Sequence, residues 1–277
     1  MRWPNGWGSC TAVMGVINLT PDSFSDGGQF NQLERALAEA SRQIANGADC
    51  LDLGAQSTKP YAVEVGADEE LRRLLPTLKA IRQEFPEVLI SVDTFLAAVA
   101  SEALEAGANW INDVSGGRRD PEMLALIAKA GCPFVLMHSR GDSQTMDQCT
   151  DYGEIGVVRG VIQELKAATA RAEEAGVNRD QLIWDPGLGF AKTTQQNLTL
   201  IQQLDSLVAE GIPLLLGPSR KRFIGAVLDE PRAKARLWGT AAVCARAVEA
   251  GVAVLRVHDV GPIRQVVTMA AAIGSNR

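Results

Sequence analysis

Acidic and amide side chains follow short apolar segments along this 277-residue chain. Asp93, Asn112 and Asp185 each come directly after a segment whose apolar run is typical of a buried strand. A buried carboxylate is costly unless it accepts hydrogen bonds, so the two aspartates need a partner with several N–H groups, while Asn112 can both donate and accept. This combination favours a planar nitrogen heterocycle. A single aspartate after a strand is also commonly a turn former or a helix cap.

Basic side chains occur at similar positions. The net charge of the chain is -6, so cations that gather in loops indicate a bound polyanion, most simply a phosphate or pyrophosphate. Taken one at a time, such residues are more often plain surface charges. His258 lies two residues after Arg256 in its segment and therefore points to the same side, which favours His258 as a ligand. His138 is interpreted instead as a histidine at the edge of the core. The candidate cations are Lys59, Arg220, Lys221, Arg256 and His258.

The segment 18–28, NLTPDSFSDGG, follows the first apolar run and contains little that a core could use. Such a polar loop suits an anionic or hydrogen-bonding ligand, although it is also compatible with an ordinary strand-to-helix connection. Phe24, Pro60 and Phe190 are isolated apolar residues within polar or glycine-rich loops. They are candidates either for the walls of an aromatic co-substrate site or for loop anchors on the protein rim.

The apolar spacing predicts eight rounds of a strand followed by a helix. The predicted strands are 12–17, 50–53, 88–92, 110–111, 134–137, 182–184, 213–216 and 252–257. The predicted helices are 33–46, 68–84, 96–105, 121–130, 154–175, 194–209, 233–250 and 262–273.

Strict alternation of strands and helices requires a parallel sheet, and eight repeats predict a single (β/α)8 TIM barrel formed by one domain, residues 1–277. An open doubly wound sheet is the alternative, but no GxGxxG turn follows the first strand. In a barrel the loops after the strands share one face. The polar residues expected to meet there are Asn18, Asp52, Asp93, Asn112, His138, Asp185, Lys221, Arg256 and His258.

Composition argues against several classes of protein. The acidic balance disfavours a nucleic-acid-binding surface, which usually needs a clustered basic face. The five cysteines are scattered without a CxxC pair, which indicates reduced, mostly buried thiols rather than a soft-metal site. The sequence contains neither a long apolar run nor a signal-like beginning, so the predicted location is the cytoplasm, with no membrane partner.

Eight segments together resemble the dihydropteroate synthase family. In chain order they are MGVINLTPDSFSDGG from Met14, LDLGAQSTKP from Leu51, SVDT from Ser91, INDVSGG from Ile111, LMHSRG from Leu136, DPGLGF from Asp185, GPSRKRFIG from Gly217 and RVHDV from Arg256. The first segment is highly specific, whereas VDT and DPG taken alone are weak. The resemblance implies a transferase of folate biosynthesis, which joins 6-hydroxymethyl-7,8-dihydropterin pyrophosphate to 4-aminobenzoate to give 7,8-dihydropteroate and pyrophosphate.

The resemblance also implies a role for each matching residue. The implied pterin-binding residues are Asp93, Asn112, Asp185 and Lys221, and the implied phosphate-binding residues are Lys59, Arg256 and His258. Asn18 would help to position a magnesium ion carried by the pyrophosphate. The residues that would border the aminobenzoate are Phe24, Pro60, Phe190 and Ser219, and those assigned to closed loops or to catalysis are Asp26, Thr58 and Lys221.

The implied reaction agrees with the residues present. No serine-histidine-aspartate set or dedicated general base is evident in the sequence, and a neutral aryl amine that attacks a cation-like carbon needs no strong base. We expect catalysis through neutralisation of the leaving group, by Mg2+ and basic side chains, and through alignment of the amine away from water.

The second loop departs from the family pattern GGESTRPGA, because residues 54–62 read GAQSTKPYA. Lys59 keeps the positive charge but lacks the planar fork of arginine, so we expect a weaker or less oriented phosphate contact. Two other functions compatible with the pocket are a pterin-dependent methyltransferase barrel and a non-catalytic pterin-binding module. The resemblance further implies a homodimer, formed through the helix predicted at 233–250 or the one at 262–273.

Overall fold

The computed structural model describes residues 1–20, 29–56 and 64–274, with side chains of the first helix described from residue 32. Within these residues the chain forms eight strands. They are β1 (Ala12–Asn18), β2 (Cys50–Gly54), β3 (Leu89–Asp93), β4 (Trp110–Asp113), β5 (Phe134–Met137), β6 (Leu182–Asp185), β7 (Leu215–Leu216) and β8 (Val254–Val257).

All neighbouring strands pair in parallel, in the order β6-β5-β4-β3-β2-β1-β8-β7. An isolated bridge between Trp184 of β6 and Leu214, next to β7, joins the two ends of this order. The sheet therefore closes on itself, and the predicted (β/α)8 barrel is confirmed.

The described helices lie between the strands and after the last one. They are α1 (Gln29–Ala45), α2 (Ala67–Glu84), α3 (Ala97–Glu105), α4 (Met123–Ala130), α5 (Gly156–Glu174), α6 (Thr194–Gln202), α7 (Leu204–Val208), α8 (Arg222–Leu228), α9 (Leu237–Glu249) and α10 (Val260–Gly274). Among them, none has the length and apolar character needed to cross a membrane.

Several predicted boundaries were wrong. The helix predicted at 194–209 is two helices, α6 and α7, which meet at Gln203. The short helix α8 was not predicted, because seven residues are too few to display an apolar period clearly. Asp93, Asn112 and Asp185 lie within strands rather than after them, since backbone pairing does not depend on a polar side chain.

Side chains on the strands alternate between two apolar cores. The larger core lies between the outer face of the barrel and the helices. The smaller core fills the interior and consists of Ala12, Met14, Cys50, Leu89, Trp110, Val135, Ile183, Leu215 and Val254. Two or four residues further along each strand, the same inward alternation reaches the C-terminal end of the barrel. There it presents Asp52, Asp93, Asn112, Asp185 and Arg256.

The N-terminal segment closes the opposite end of the barrel. The rings of Trp3 and Trp7 stack with centroids 4.4 Å apart, and both lie edge-on to the fully buried Trp110, at 5.4 and 5.9 Å. The indole Nε1 of Trp110 donates to the carbonyl of Arg2 at 2.9 Å. This aromatic cluster covers the lower edge of the interior core.

We predict that Trp110→Ala lowers the free energy of unfolding by about 3–5 kcal/mol, because it leaves a large cavity between the interior core and the N-terminal segment. Urea unfolding followed by far-UV circular dichroism measures the change. Ile155→Ala serves as the control, since this side chain is 47% exposed. A loss below about 1 kcal/mol for Trp110→Ala would mean that the cluster does not stabilise the barrel.

Candidate active site

Arg256 joins two aspartates inside the C-terminal end of the barrel. Its Nε donates to Asp52 Oδ2 at 2.6 Å and its Nη2 donates to Asp93 Oδ2 at 2.8 Å. The amide of Asn112 donates to the same Asp52 oxygen at 3.3 Å. The four side chains come from β2, β3, β4 and β8, and Arg256 lies near the other three because the last strand, β8, pairs with β1 beside β2.

The other oxygen of each aspartate is left open. Asp52 Oδ1 and Asp93 Oδ1 are buried and have no hydrogen-bond partner among the described residues. Burial raises the pKa of Asp93, and the nearby Arg256 opposes this shift. Burial lowers the pKa of Arg256, but the two carboxylates outweigh it, and the net shift is upward. An incoming group with several N–H donors would satisfy the open oxygens.

Asp185 and Lys221 form the second part of the site. Asp185 Oδ1 accepts from the N–H of Gly187 at 2.7 Å, and burial raises the pKa of Asp185 while Lys221 opposes the rise. Burial lowers the pKa of Lys221 to about 8, and the charge of Asp185 opposes this decrease. The Lys221 ammonium donates to the carbonyl of Leu188 and lies 4.3 Å from the centroid of the Phe190 ring.

Ser219 and His258 lie together on the loops after β7 and β8. The Ser219 hydroxyl accepts from the backbone N–H of His258 at 3.2 Å and is 2.9 Å from its ring Nδ1. Arg220, one of the candidate cations, is already paired with Asp259 through two hydrogen bonds of 3.0 and 2.6 Å. This ion pair ties the loop after β7 to the residues that follow β8.

His138 is a buried structural histidine, as its sequence context predicts. Its Nε2 lies 3.0 Å from Glu164 Oε2 and its Nδ1 lies 3.0 Å from the ammonium of Lys192. Burial lowers the pKa of His138 to about 4, assisted by the positive charge of Lys192. The imidazole is therefore neutral near pH 7, with both ring nitrogens occupied.

Glu70, on α2, is a buried acid next to the site. It is 1% exposed, its Oε1 has no hydrogen-bond partner in the described part of the chain, and its carboxyl interacts with the hydroxyl of Thr94. Burial raises its pKa to about 7, while Thr94 and Arg73 oppose the shift. Its charge also contributes to the raised pKa of Asp93.

This arrangement has two chemically distinct sides. The interior side presents open carboxylate oxygens and an amide, which suit the N–H edge of a flat heterocycle. The loops after β6 and β7 add an ammonium group and the Phe190 ring, which suit an anionic or aromatic group beside it. Within residues 1–20, 29–56 and 64–274, no group of three or more histidine, cysteine, aspartate or glutamate side chains is placed to hold a metal ion.

The sequence profile described as "Pterin binding enzyme" matches residues 14–258, and hence every described element that contributes to this site. The chain belongs to the pterin-binding enzyme family. The match runs from β1 to the residue after β8, which agrees with the barrel as the unit that carries the function.

Two dihydropteroate synthases within this pterin-binding family are similar to the chain over more than nine-tenths of their own length. A curated dihydropteroate synthase from Synechocystis is 49% identical over 268 residues, which cover 96% of this chain and 91% of the relative. A dihydropteroate synthase of Xanthomonas albilineans, solved with 4-aminobenzoic acid, is 38% identical with a TM-score of 0.89 and covers 96% of this chain and 94% of its own. Another structure of that enzyme contains 7,8-dihydropteroate, with 36% identity, a TM-score of 0.86 and the same coverage.

The structure brings together most of the predicted residues that it describes. Strand register aligns Asn18, Gly54, Asp93 and Asn112 in one row across β1 to β4, and the Asn18 side chain is exposed at the end of β1. Arg256 lies within hydrogen-bonding distance of this row, on Asp93. The predicted residues Phe24, Asp26, Thr58, Lys59 and Pro60 lie outside the described residues.

Sequence reasoning missed three ionisable groups around the site, Glu70, Glu164 and Lys192, of which Glu70 and Lys192 are buried. Glu70 had a usable signal, since it shares the apolar stripe of α2 with Leu74, Thr77, Leu78 and Ile81, and a charged residue on such a stripe is unusual. Glu164 and Lys192 had none, because each carries a charge within a polar stretch and only tertiary packing buries the lysine.

We predict that Glu70→Gln becomes more stabilising, relative to the wild type, as the pH rises. The carboxyl has a pKa of about 7 in the folded protein against an ordinary 4.5, so its ionisation weakens the wild-type fold between those values. The difference in unfolding free energy between variant and wild type should therefore rise by about 2–3 kcal/mol from pH 5 to pH 8.

Urea unfolding at both pH values measures this difference. Glu69→Gln is the matched control, since the neighbouring Glu69 is bonded to Arg72 and Arg73, which lower its pKa to about 2, and it stays ionised over this range. If the stability difference for Glu70→Gln is the same at pH 5 and pH 8, the carboxyl is ionised throughout and the assignment fails.

Proposed function

We propose that this chain is a dihydropteroate synthase, which condenses 6-hydroxymethyl-7,8-dihydropterin pyrophosphate with 4-aminobenzoate to 7,8-dihydropteroate and pyrophosphate. The observation that carries the proposal is the pair of open, buried carboxylate oxygens beside Asn112 in a barrel of this family. The relatives named dihydropteroate synthase support the same reaction.

In this proposal the pterin lies in the interior side of the site. Asp93 and Asp185 accept from the N–H groups of the ring system, Asn112 donates and accepts at its edge, and Lys221 lies above it. The hydrogen bonds from the Arg256 guanidinium to Asp52 and Asp93 support a further role for this arginine. They fix the orientation of both carboxylates before the substrate binds.

The diphosphate would extend toward the loops after β7 and β8. Ser219 and His258 face each other there, and Arg256 lies on the adjacent strand. Arg256, His258 and Lys59 are proposed to contact the phosphates. Lys59 lies outside the described part of the chain. Phe190 and Ser219 are proposed to border the aminobenzoate, together with Phe24 and Pro60.

A magnesium ion fits this site as cargo of the diphosphate. The exposed amide oxygen of Asn18 is a hard ligand of the type that Mg2+ prefers, and it stands in the same register row as Asp93. When bound, the ion supplies charge neutralisation for the departing pyrophosphate. In this proposal the diphosphate and water supply the remaining ligands of the ion.

The reaction breaks the bond between the pterin methylene carbon and the pyrophosphate oxygen, and forms a bond from that carbon to the amine nitrogen. The amine then loses one proton to water or to the released pyrophosphate. The protein residues bind the two substrates in line, neutralise charge and exclude water, which matches a site without a dedicated general base. Asp26 and Thr58, assigned to the closed loops, lie outside the described residues.

The decisive experiment is turnover with the purified protein. We predict that pyrophosphate is released only when pterin pyrophosphate, 4-aminobenzoate and Mg2+ are all present, and that EDTA abolishes release. A pterin-dependent methyltransferase or a non-catalytic pterin-binding module would release no pyrophosphate under any of these conditions. Asp93→Asn should reduce kcat/KM by about 10- to 100-fold, because it removes a charged acceptor from the pterin site.

Asp180→Asn is the matched control for this variant, because Asp180 is exposed in the turn before β6, at the opposite end of the barrel. It should retain wild-type kinetics. Equal kcat/KM values for Asp93→Asn and Asp180→Asn would exclude Asp93 from the substrate site.

We also propose a homodimer of single-domain chains. Large apolar side chains are exposed on the helices in question: Trp238 on α9 is 78% exposed, and Met269 and Ile273 on α10 are 61% and 54% exposed. Leu228, at the end of α8, packs beside Gly239 and extends this apolar surface. Surfaces of this kind commonly mark an interface.

The cytoplasmic location stays a prediction.

We predict that the wild type sediments as a dimer and that Trp238→Arg shifts the equilibrium toward the monomer, because the change places a charge in the proposed interface. Sedimentation velocity over a range of concentrations measures the shift. Ile155→Arg, an equally drastic change at another exposed apolar residue, is the control and should remain dimeric. A monomeric wild type, or a dimer unaffected by Trp238→Arg, would contradict the proposal.

A further inference from the structure

The ammonium group of Lys192 is buried at the end of the loop that follows β6. Its three N–H groups have three acceptors: His138 Nδ1 at 3.0 Å, the carbonyl of Gly187 at 3.1 Å and the carbonyl of Phe190 at 2.9 Å. Lys192 is 9% exposed, and burial lowers its pKa to about 7. A lysine is seldom buried without a carboxylate bonded directly to it, and here all three acceptors are neutral.

A second set of contacts fixes the imidazole that serves Lys192. Because His138 Nδ1 accepts from the ammonium, the ring proton is on Nε2, which donates to Glu164 Oε2 at 3.0 Å. Glu164 is held in turn by Arg140, whose guanidinium lies 3.8 Å from the centroid of the Tyr152 ring. Lys192 is thus anchored to the residue that follows β5 and, through it, to α5, both outside the loop.

The loop itself, residues 186–191, is held by side chains instead of by strand pairing. Lys192 occupies the carbonyls of Gly187 and Phe190, Lys221 that of Leu188, and Tyr152 that of Ala191. The N–H of Gly189 donates to the buried amide of Asn197 at 2.7 Å. Gly187 has a φ of +66°, and a Cβ there would be 2.0 Å from the carbonyl oxygen of His138, so the loop lies directly against β5.

We propose that Lys192 is a positioning residue, which fixes the loop 186–191 and so holds the Phe190 ring against Lys221 at the amine side of the active site. This inference rests on the proposed function for the identity of the amine. The three N–H groups of Lys192 are all used by protein acceptors, so its proposed role includes no contact with either substrate. It acts by clamping the carbonyl of Phe190 to the His138 ring, a rigid point on the barrel.

The effect on the two substrates should be unequal. The backbone of Asp185, on the pterin side, is fixed by its pairing with Met137 and by the hydrogen bond from the N–H of His138 to its carbonyl at 2.8 Å, both independent of Lys192. Its side chain also accepts from the N–H of Gly187 in the loop, so the pterin side keeps part of its support, but not all of it, when Lys192 is lost. Phe190 is bonded through its own N–H to Gly187 only, within the same loop. Loss of the clamp therefore frees Phe190 more than Asp185.

The test compares two variants. Lys192→Met has a side chain of similar length without hydrogen-bond donors, whereas the amide of Lys192→Gln keeps two N–H groups. If Lys192→Met does not fold, Lys192→Gln is used for the same measurements. Hydrogen–deuterium exchange, read by mass spectrometry, should be about tenfold faster in peptides covering residues 187–191 in Lys192→Met, and intermediate in Lys192→Gln. Peptides covering β1 and β2 should be unchanged. Lys129→Met, on the exposed face of α4, is the control and should match the wild type.

Steady-state kinetics provide the second measurement. We predict that Lys192→Met raises the KM for 4-aminobenzoate by about tenfold and the KM for the pterin pyrophosphate by no more than about twofold. Unchanged exchange at residues 187–191, or an equal rise in both KM values, would overturn the inference. If the wild type shows no turnover, the proposed function fails, and the exchange experiment alone still decides whether Lys192 holds the loop.

Discussion

The balance of buried charge inside the C-terminal end of the barrel constrains the rest of this structure. Asp52, Asp93 and Asp185 point into a space lined by other strands, and ionised carboxylates there are tolerated only with cations beside them. Arg256 and Lys221 supply those cations. The apolar core beneath them, which includes Met14 and Val254, excludes water. The electrostatic interactions between these charges are therefore stronger than they would be at a surface.

The barrel and much of the site follow from simple periodicities in the sequence. Apolar strands alternate with helices, which predicts the barrel. Residues two positions apart on a strand point to the same side, so a polar residue that follows an inward-facing residue by two positions also points into the barrel. Trp110 and Asn112 illustrate this. The pairing of Arg256 with Asp52 and Asp93 could not be read in this way. It depends on the pairing of the last strand, β8, with the first, β1, which brings together residues more than 160 positions apart.

Lys192 and Glu164 mark the limit of sequence reasoning more clearly. Each carries a charge that sequence patterns assign to solvent, and the lysine is buried because it bridges backbone carbonyls in a loop without regular structure. Local propensities describe neighbours along the chain, whereas these contacts join β5, α5 and the loop after β6. The loop after β6 is contacted by side chains that are distant in sequence, Tyr152 and Lys221 among them.

The tryptophan cluster at the other end of the barrel has a topological consequence. The interior core fills the barrel and Trp3, Trp7 and Trp110 cover its lower edge, so ligands reach the site only from the C-terminal end. Whatever binds deepest must enter first and leave last through the same opening. In the proposed reaction the pterin binds deeper than the amine, so the pterin binds first and the amine second. The product must then dissociate before the next pterin pyrophosphate can bind.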